Sequence, residues 1–233
     1  MISRISSHVN CVFGQIIHEF GGFCREIGKI ADAMSDQQNT ILGLKLPTDP
    51  RWVNLAEMSL QDILTDHAYC EQKAASNCIS LIQRYPHHQR LVEELAPIVT
   101  EEWGHFRMVL SELNKRKLSL GKQRKDLYVN ELMNYMQKGG HPDDRLLDQL
   151  LVFALIEARS CERFRLMSEE LEDEYLRNFY RKFMISEAGH YRLFLDLAKT
   201  YLPHEKVKKR WKEWLLIEKE ILENMEIRGD RMH

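Results

Sequence analysis

The sequence predicts an all-α protein built around a four-helix bundle. From Trp52 onward, apolar residues recur at the three- and four-residue spacing of amphipathic helices, and no stretch reads as a strand. Four of the helical segments are long and form two pairs, each joined by a short turn, with a longer connection between the pairs. The chain has 233 residues, is 44% hydrophobic and contains few Gly and Pro, so one helical domain with a sizeable core is expected.

The boundaries of these helices follow from residues that begin or end helices. Pro86 should end the first long helix, because proline resists continuing a helix. Pro97 should bend the second helix or mark a late start, and Gly139 and Gly140 should end a short helix in the connection. Pro142 suits the first turn of the third long helix. The predicted segments are 54–84, 88–117, a short helix over 126–138, 142–170, 173–200 and a final flanking helix from 203.

Residues 1–41 differ in pattern from the rest of the chain. They carry a weak apolar periodicity, interrupted by Gly21 and Gly22, that predicts a short flanking helix near 8–31. No group with evident chemistry occurs there. We therefore expect an N-terminal extension, followed by a functional domain over 42–233.

The bulk properties exclude several classes of protein. A formal charge of −2 gives no overall electrostatic bias, so any nucleic-acid binding needs a local basic patch. The five cysteines form no Cys-x-x-Cys pair and are typical of reduced cysteines in a cytosolic protein. No apolar run is long enough for a membrane span, and the N-terminus lacks a signal-peptide pattern. A cytoplasmic protein without a membrane partner is expected.

Two Glu-x-x-His pairs, Glu102–His105 and Glu187–His190, are the first indication of chemistry. Residues three apart share a helix face, so each pair presents a carboxylate and an imidazole to the same neighbour. With ten His in the chain, about one such pair is expected by chance. Both pairs, however, lie on the apolar stripe that faces the core. A buried carboxylate is costly unless it is paired or binds a metal, so these residues need partners.

The other two long helices each place one glutamate on the corresponding stripe, Glu71 and Glu157. Glu71 lies 31 residues before Glu102, and Glu157 lies 30 residues before Glu187. In an antiparallel helical pair, residues equally far from the turn lie level with each other. The spacing therefore predicts that the two single glutamates and the two pairs converge in the middle of the bundle.

Four carboxylates and two imidazoles suit two iron or manganese ions better than structural zinc or calcium. Ferritin-like dimetal proteins have this arrangement, with one Glu from each of two helices and Glu-x-x-His from each of the others. The alternative, a buried salt-bridge network without metal, is rare and costly. We predict a ferritin-like bundle with two iron ions, ligated by Glu71, Glu102, His105, Glu157, Glu187 and His190.

Two further residues are candidates for supporting the ligands from outside. His67 lies one turn before Glu71 and is expected to pack or hydrogen-bond rather than to bind metal. Glu162 competes with Glu157 as the ligand of its helix. The two are five residues apart, about 500° of helical rotation, so they point about 140° away from each other. The apolar stripe and the spacing to Glu187 favour Glu157, and Glu162 is expected to pair with an arginine or to support the site.

Four stretches carry a more specific pattern: LGLKLPTDPRWVNLA (42–56), ILTDHAYCEQKAAS (63–76), LIEARSCERF (155–164) and MISEAGHYRLFLDLA (184–198). They closely resemble the bacterial tRNA 2-methylthio-isopentenyl-adenosine hydroxylases. The resemblance covers about 42–225, and the run from Arg159 to Arg163 is its most specific part. It implies a non-haem di-iron monooxygenase that uses O2 to hydroxylate the prenyl group of the adenosine beside the anticodon of tRNA. The six predicted ligands match the positions used by that family.

The implied reaction also needs partners. Two electrons must come from outside at each turnover, and because the chain lacks a Gly-x-Gly-x-x-Gly fingerprint, a separate ferredoxin or reductase is expected. A basic run follows the second long helix, and a Lys-rich run with Trp211 and Trp214 lies in the final helix. Each could grip an anticodon loop or be a solvated helix end. The candidate tRNA contacts are Lys115, Arg116, Lys117, Lys122, Arg124 and Lys125.

The main alternative function is iron binding or peroxide scavenging on a ferritin-like bundle. Rubrerythrin-type peroxidases normally carry a Cys-x-x-Cys iron domain, which this chain lacks, and ferritins assemble into hollow shells. A helical adaptor with a vestigial metal site is a third possibility.

Overall fold

A computed structural model describes residues 41–233, and within that range it contains seven helices and no strand. The prediction of an all-α protein is confirmed. The short helix predicted near 8–31 lies outside the described residues. In chain order the helices are α1 (Arg51–Met58), α2 (Leu60–Arg84), α3 (Gln89–Lys115), α4 (Leu127–Tyr135), α5 (Pro142–Glu170), α6 (Glu174–Tyr201) and α7 (His204–Glu223).

The four long helices pack as two helical hairpins, α2 with α3 and α5 with α6. Helices α3 and α6 also run antiparallel. At one end the backbone N–H of Leu91 donates to the hydroxyl oxygen of Tyr201 at 2.9 Å, and at the other Lys115 Nζ donates to the hydroxyl of Tyr175 at 2.8 Å. The crossover between the hairpins carries α4, and α4 and α7 both pack against α5. This is the predicted ferritin-like bundle with a short helix in its crossover.

Apolar side chains form two separate clusters in the core. Helix α2 contributes Leu64 to one cluster and Leu81 to the other. Helix α6 likewise contributes Phe183 to the first and Phe194 to the second. Each long helix thus runs from one apolar cluster to the other, and its middle turns are left for polar residues.

The helix boundaries differ from prediction in two places. The first predicted helix is two helices, because the backbone breaks at Ser59 (φ −120°, ψ 37°) between α1 and α2. Helix α3 starts at Gln89 and continues through Pro97, so Pro97 does not mark a late start. The loss of one backbone hydrogen bond there is tolerated within a long helix that packs along its length. None of the described helices is both long and apolar enough to cross a membrane.

Two non-helical segments cross the same side of α5. Arg159 on α5 donates from Nη2 to the carbonyl oxygen of Leu46 at 2.9 Å. Arg163 on the same helix donates from Nη1 to the carbonyl oxygen of Arg231 at 3.3 Å. These contacts bring residues 44–50 and 224–233 together beside the middle of α5.

Candidate metal centre

The six predicted ligands meet between the two apolar clusters, and all of them are buried. They form two overlapping groups, and within each group the candidate ligand atoms lie within 4.8 Å of one another. Glu102 and Glu187 belong to both groups, so they lie between two potential metal positions. The groups are Glu71, Glu102, His105 and Glu187, and Glu102, Glu157, Glu187 and His190.

Both imidazoles turn Nδ1 toward the carboxylates. His105 Nδ1 lies 3.2 Å from Glu102 Oε2 and 3.5 Å from Glu71 Oε2. His190 Nδ1 lies 2.8 Å from Glu102 Oε1 and 3.2 Å from Glu187 Oε2. The i, i+3 spacing of each Glu-x-x-His pair explains half of these contacts. The others join different helices, and Glu102 contacts both imidazoles.

The electrostatics of the cluster favour a bound cation. Burial, together with Glu102 and Glu187, raises the pKa of Glu71 well above its ordinary value, and burial with Glu187 does the same for Glu157. Burial and the neighbouring carboxylates therefore favour the protonated forms of both carboxyl groups when no cation is present. Glu187 Oε1 is buried without a hydrogen-bond partner among the described residues. Metal ions would replace the protons and satisfy this oxygen, so the donor set fits two metal ions.

The surroundings favour the charged form of the imidazole of His105, whereas they favour the neutral form of Glu71 and Glu157. Burial opposes protonation of His105, but hydrogen bonds with Glu102 and Glu71 outweigh it and raise its pKa to about 10. Burial likewise opposes ionisation of Glu102, yet hydrogen bonds from His105 and His190 keep its pKa below the ordinary value. The metal-free cluster is therefore held together by imidazolium–carboxylate pairs.

His67 lies behind Glu71, as its position one turn earlier on the helix predicts. Its Nε2 is 2.7 Å from Glu71 Oε1. The ring is completely buried and packs against Phe164 and Phe183, with ring centroids 4.8 and 4.6 Å away. Burial, followed by the charge of His105, lowers the pKa of His67 well below its ordinary value. A neutral imidazole in this position can donate one N–H to Glu71 and fix its orientation.

Glu162 lies outside the cluster. Its carboxylate forms an ion pair with Arg159 and accepts a hydrogen bond of 2.5 Å from Thr48 Oγ1. The backbone N–H of Thr48 is 3.2 Å from both of its oxygens. The structure thus brings Glu157 into the six-residue cluster and turns Glu162 toward an arginine and the segment before α1.

Glu101 is a contact of the cluster that the sequence argument missed. Its Oε2 is 3.4 Å from His190 Nε2, and its Oε1 is 3.9 Å from His105 Nε2. Ser186 Oγ donates to Oε1 at 2.5 Å, and the hydrogen bond with His190 lowers the pKa of Glu101 to about 2. The i, i+4 spacing from Glu101 to His105 was a usable signal. The contact with His190 depends on how α3 packs on α6.

A cavity of about 50 Å³ reaches the cluster beside α2 and α5. Its apolar lining includes Phe153, Ile156 and Phe194, and its polar lining includes Glu157. His233 and Ser160 also line it, and His233 Nε2 is 2.8 Å from Ser160 Oγ. Cys70, Asp126 and His233 form a third group whose ligand atoms lie within 4.8 Å of one another.

The predicted tRNA-contacting residues divide into two kinds. Arg116 pairs with Glu112 and Asp173, so its guanidinium stabilises the end of α3. Arg124 pairs with Asp62 and Asp230 in the same way. The lysines of the set are exposed, namely Lys115, Lys117, Lys122 and Lys125.

One of the two tryptophans considered for base stacking in the Lys-rich final helix is buried. Trp214 is completely buried, and its Nε1 donates to Asp148 Oδ1 at 3.1 Å. The suggestion that a base stacks on Trp214 is therefore wrong, because the ring is not accessible. Arg210 pairs with the same Asp148, and Trp211 packs 6.0 Å from the ring of Tyr191. This face of α7 holds the helix against α5 and α6.

The sequence matches a family model over residues 35–233, which contain the whole bundle and all six cluster residues. That family is described as tRNA-(MS[2]IO[6]A)-hydroxylase (MiaE). The chain belongs to this family. The MiaE match explains why the resemblance found in four stretches extends to the described residues as a whole.

Proteins similar to this chain include two curated MiaE relatives, each named tRNA 2-(methylsulfanyl)-N(6)-isopentenyladenosine(37) hydroxylase. The Pseudomonas putida protein is 37% identical over 158 residues, covering 68% of this chain and 76% of the relative. The Salmonella typhimurium protein is 27% identical over 204 residues, covering 66% of this chain and 74% of the relative. A solved structure, Protein 43 with aldehyde deformylating oxygenase activity from Synechococcus, has a TM-score of 0.78 and 36% identity. The match covers 83% of this chain and 96% of the Synechococcus chain.

Proposed function

We propose that this protein is a non-haem di-iron monooxygenase that hydroxylates the isopentenyl group of (methylthio-)isopentenyl-adenosine next to the anticodon of tRNA. The proposal is carried by the buried cluster of four carboxylates and two imidazoles, in a chain of the MiaE family. Both relatives are named as hydroxylases of the same modified adenosine.

The cofactor in this proposal is a pair of iron ions. Glu102 and Glu187 would lie between the two ions, since they belong to both groups of candidate ligands. Bound iron supplies O2 activation, which oxidation of an unactivated C–H bond requires and which acid–base catalysis cannot provide. The remaining ligands are Glu71, Glu157, His105 and His190.

The surrounding side chains have separable tasks in this proposal. His67 and Glu101 would orient ligand side chains, since their polar atoms lie 2.7 Å from Glu71 and 3.4 Å from His190. Phe153, Ile156 and Phe194 line the cavity beside Glu157, and their apolar surfaces suit a prenyl chain and exclude water.

Two partners complete the proposal. Hydroxylation with O2 consumes two external electrons, so we expect an electron donor such as a ferredoxin and its reductase. The tRNA would be attracted by the exposed lysines near the end of α3, with the anticodon stem-loop as the recognised part. Those candidates are Lys115, Lys117, Lys122 and Lys125.

Nucleoside analysis of tRNA tests the proposed function. Cells that lack the gene should lose the hydroxylated nucleoside and accumulate its prenylated precursor. Wild-type protein should restore the hydroxylated product, and Glu187→Ala should not. Glu169→Ala is the matched control, because Glu169 is an exposed glutamate that pairs with Arg165 outside the cluster. An identical nucleoside profile with and without the gene would refute the proposal.

Aldehyde deformylation is a second candidate, because the similar Synechococcus protein is described as having that activity. The apolar cavity beside the cluster would also suit an alkyl chain. Iron-loaded protein should be given a long-chain aldehyde and a prenylated anticodon RNA in parallel, with the same reductant. Turnover of the aldehyde alone would favour deformylation. Peroxide consumption with neither product would favour the scavenging role.

A further inference from the structure

Arg163 is a buried guanidinium without an acidic partner. The residue is only 9% exposed, and no carboxylate lies within ion-pair distance of it among the described residues. Its Nη1 donates to the carbonyl oxygen of Arg231 at 3.3 Å, and its Nε is buried without a hydrogen-bond partner. The guanidinium carbon lies 4.8 Å from the centroid of the Trp52 ring. Burial, with Arg159 nearby, lowers the pKa of Arg163 to about 10.

Arg159, one turn earlier on α5, is a buried arginine with acidic partners and serves as a comparison for Arg163. It is completely buried and pairs with both Glu162 and Glu218, the latter at 2.5 Å. A buried charge that lacks such partners costs several kcal/mol in general. Packing alone would be served better by an apolar side chain than by Arg163. An anionic ligand would supply the missing partner.

Arg163 lines a groove of about 400 Å³ between the segment before α1 and the segment after α7. This volume is in the range of sites for small ligands. Arg228 and Arg231 also line the groove, and both pair with Asp230. Of its two acidic residues, Asp49 pairs with Arg51 on the exposed side and Glu226 is exposed.

The groove adjoins the cavity of the metal centre. His233 lines both spaces. Arg163 and Glu157 are six residues apart on α5, which is about 9 Å along the helix axis and about 120° around it. An anionic group beside Arg163 and an apolar group beside the metal ligands could therefore belong to the same extended substrate.

We propose that this groove binds a phosphate group of the tRNA substrate, with Arg163 as its buried anchor. The inference rests on the proposed function and adds a location for the RNA backbone. A planar guanidinium can offer two parallel N–H donors to phosphate oxygens. The prenylated base would then enter the apolar cavity past His233.

Binding measurements on iron-loaded protein test this site. The RNA is an anticodon stem-loop carrying prenylated adenosine, titrated at several salt concentrations. Arg163→Met should weaken binding about tenfold, as expected for loss of a charge-assisted hydrogen bond, and should reduce the salt slope by about one. Arg163→Lys should weaken it less, because the charge remains. Arg165→Met is the matched control: Arg165 lies on the same helix, pairs with Glu169 and should leave the affinity unchanged.

Thermal unfolding provides a readout that needs no RNA. Sodium phosphate, compared with sodium chloride at equal ionic strength, should raise the Tm of wild type and Arg165→Met but not of Arg163→Met. In chloride, Arg163→Met should be no less stable than wild type, because an unpaired buried charge has been removed. A lower Tm in chloride for both Arg163 variants would show a structural role and overturn the proposal.

The two measurements separate this inference from the proposed function. Equal RNA affinity in wild type and Arg163→Met, with hydroxylation intact, would overturn the phosphate site and leave the function standing. A phosphate shift that requires Arg163, in a wild type that binds no RNA, would support an anion site for free phosphate. That result would overturn both the assignment to RNA and the proposed function.

Discussion

Glu157 and Glu162 allow a sharp test of the metal centre, because they are buried glutamates on the same helix with different partners. Glu157 lies in the six-residue cluster beside Glu187. Glu162 pairs with Arg159 and accepts hydrogen bonds from Thr48. Replacing each by Ala should therefore produce opposite results: loss of iron for Glu157→Ala, and loss of stability for Glu162→Ala.

The size of the stability loss follows from the contacts of Glu162. Breaking a buried ion pair costs about 3–5 kcal/mol. Arg159 keeps its second partner, Glu218, at 2.5 Å, so the lower end of this range applies. For a chain of this size, about 3 kcal/mol lowers the Tm by roughly 6–12 °C. Glu157→Ala should not lower the Tm of the metal-free protein, because burial and Glu187 disfavour the ionised form of Glu157.

The assay measures iron per chain after identical loading and the Tm of the metal-free protein. Glu169→Ala serves as the control, since Glu169 is exposed and pairs with Arg165. For Glu162→Ala we expect wild-type iron content with a lowered Tm. For Glu157→Ala we expect loss of iron without a lowered Tm of the metal-free protein. If Glu162→Ala lost its iron at an unchanged Tm while Glu157→Ala kept it, the assignment of the ligand on α5 would be wrong.

Three further outcomes are expected. Glu101→Gln should lower iron affinity about 10- to 100-fold, because partners of ligating imidazoles orient them; unchanged affinity in competition with a chelator would contradict this. Iron binding should release protons and strengthen as pH rises, because burial raises the pKa of Glu71 and ligands bind deprotonated; a pH-independent calorimetric titration would disagree. Replacing Lys117, Lys122 and Lys125 by Ala should reduce the salt slope of tRNA binding by about 2 to 3 at unchanged iron content, whereas an unchanged slope would assign these lysines to solvation.

The sequence predicted the bundle and the meeting of the six cluster residues because both depend on helical periodicity. A glutamate on an apolar stripe must face the core, and equal distances from a turn place residues level in antiparallel helices. Glu71 and Glu102 come together for this reason alone. Their contact needs no knowledge of exact packing, since the two helices are neighbours in the chain and are joined by a short turn.

Contacts between elements far apart in the chain cannot be predicted from helical periodicity. Glu101 meets His190 only because α3 packs on α6, and Trp214 is buried only because α7 lies against α5. Periodicity tells which face of a helix is apolar but not which distant segment covers it. The suggestion that Trp214 stacks on a base was wrong for that reason. The break at Ser59 was missed as well, because apolar spacing continues across it.

The run from Arg159 to Arg163 shows how structure and function can share one turn of helix. Arg159 and Arg163 are four residues apart and therefore lie on the same side of α5. Arg159 has two acidic partners and ties the segment before α1 to α7. Arg163 has none among the described residues and lines a groove. Because the fold satisfies one guanidinium and leaves the next unpaired, stability explains only the first. The proposed anion site would account for the second, and the phosphate backbone of the proposed substrate has the required charge.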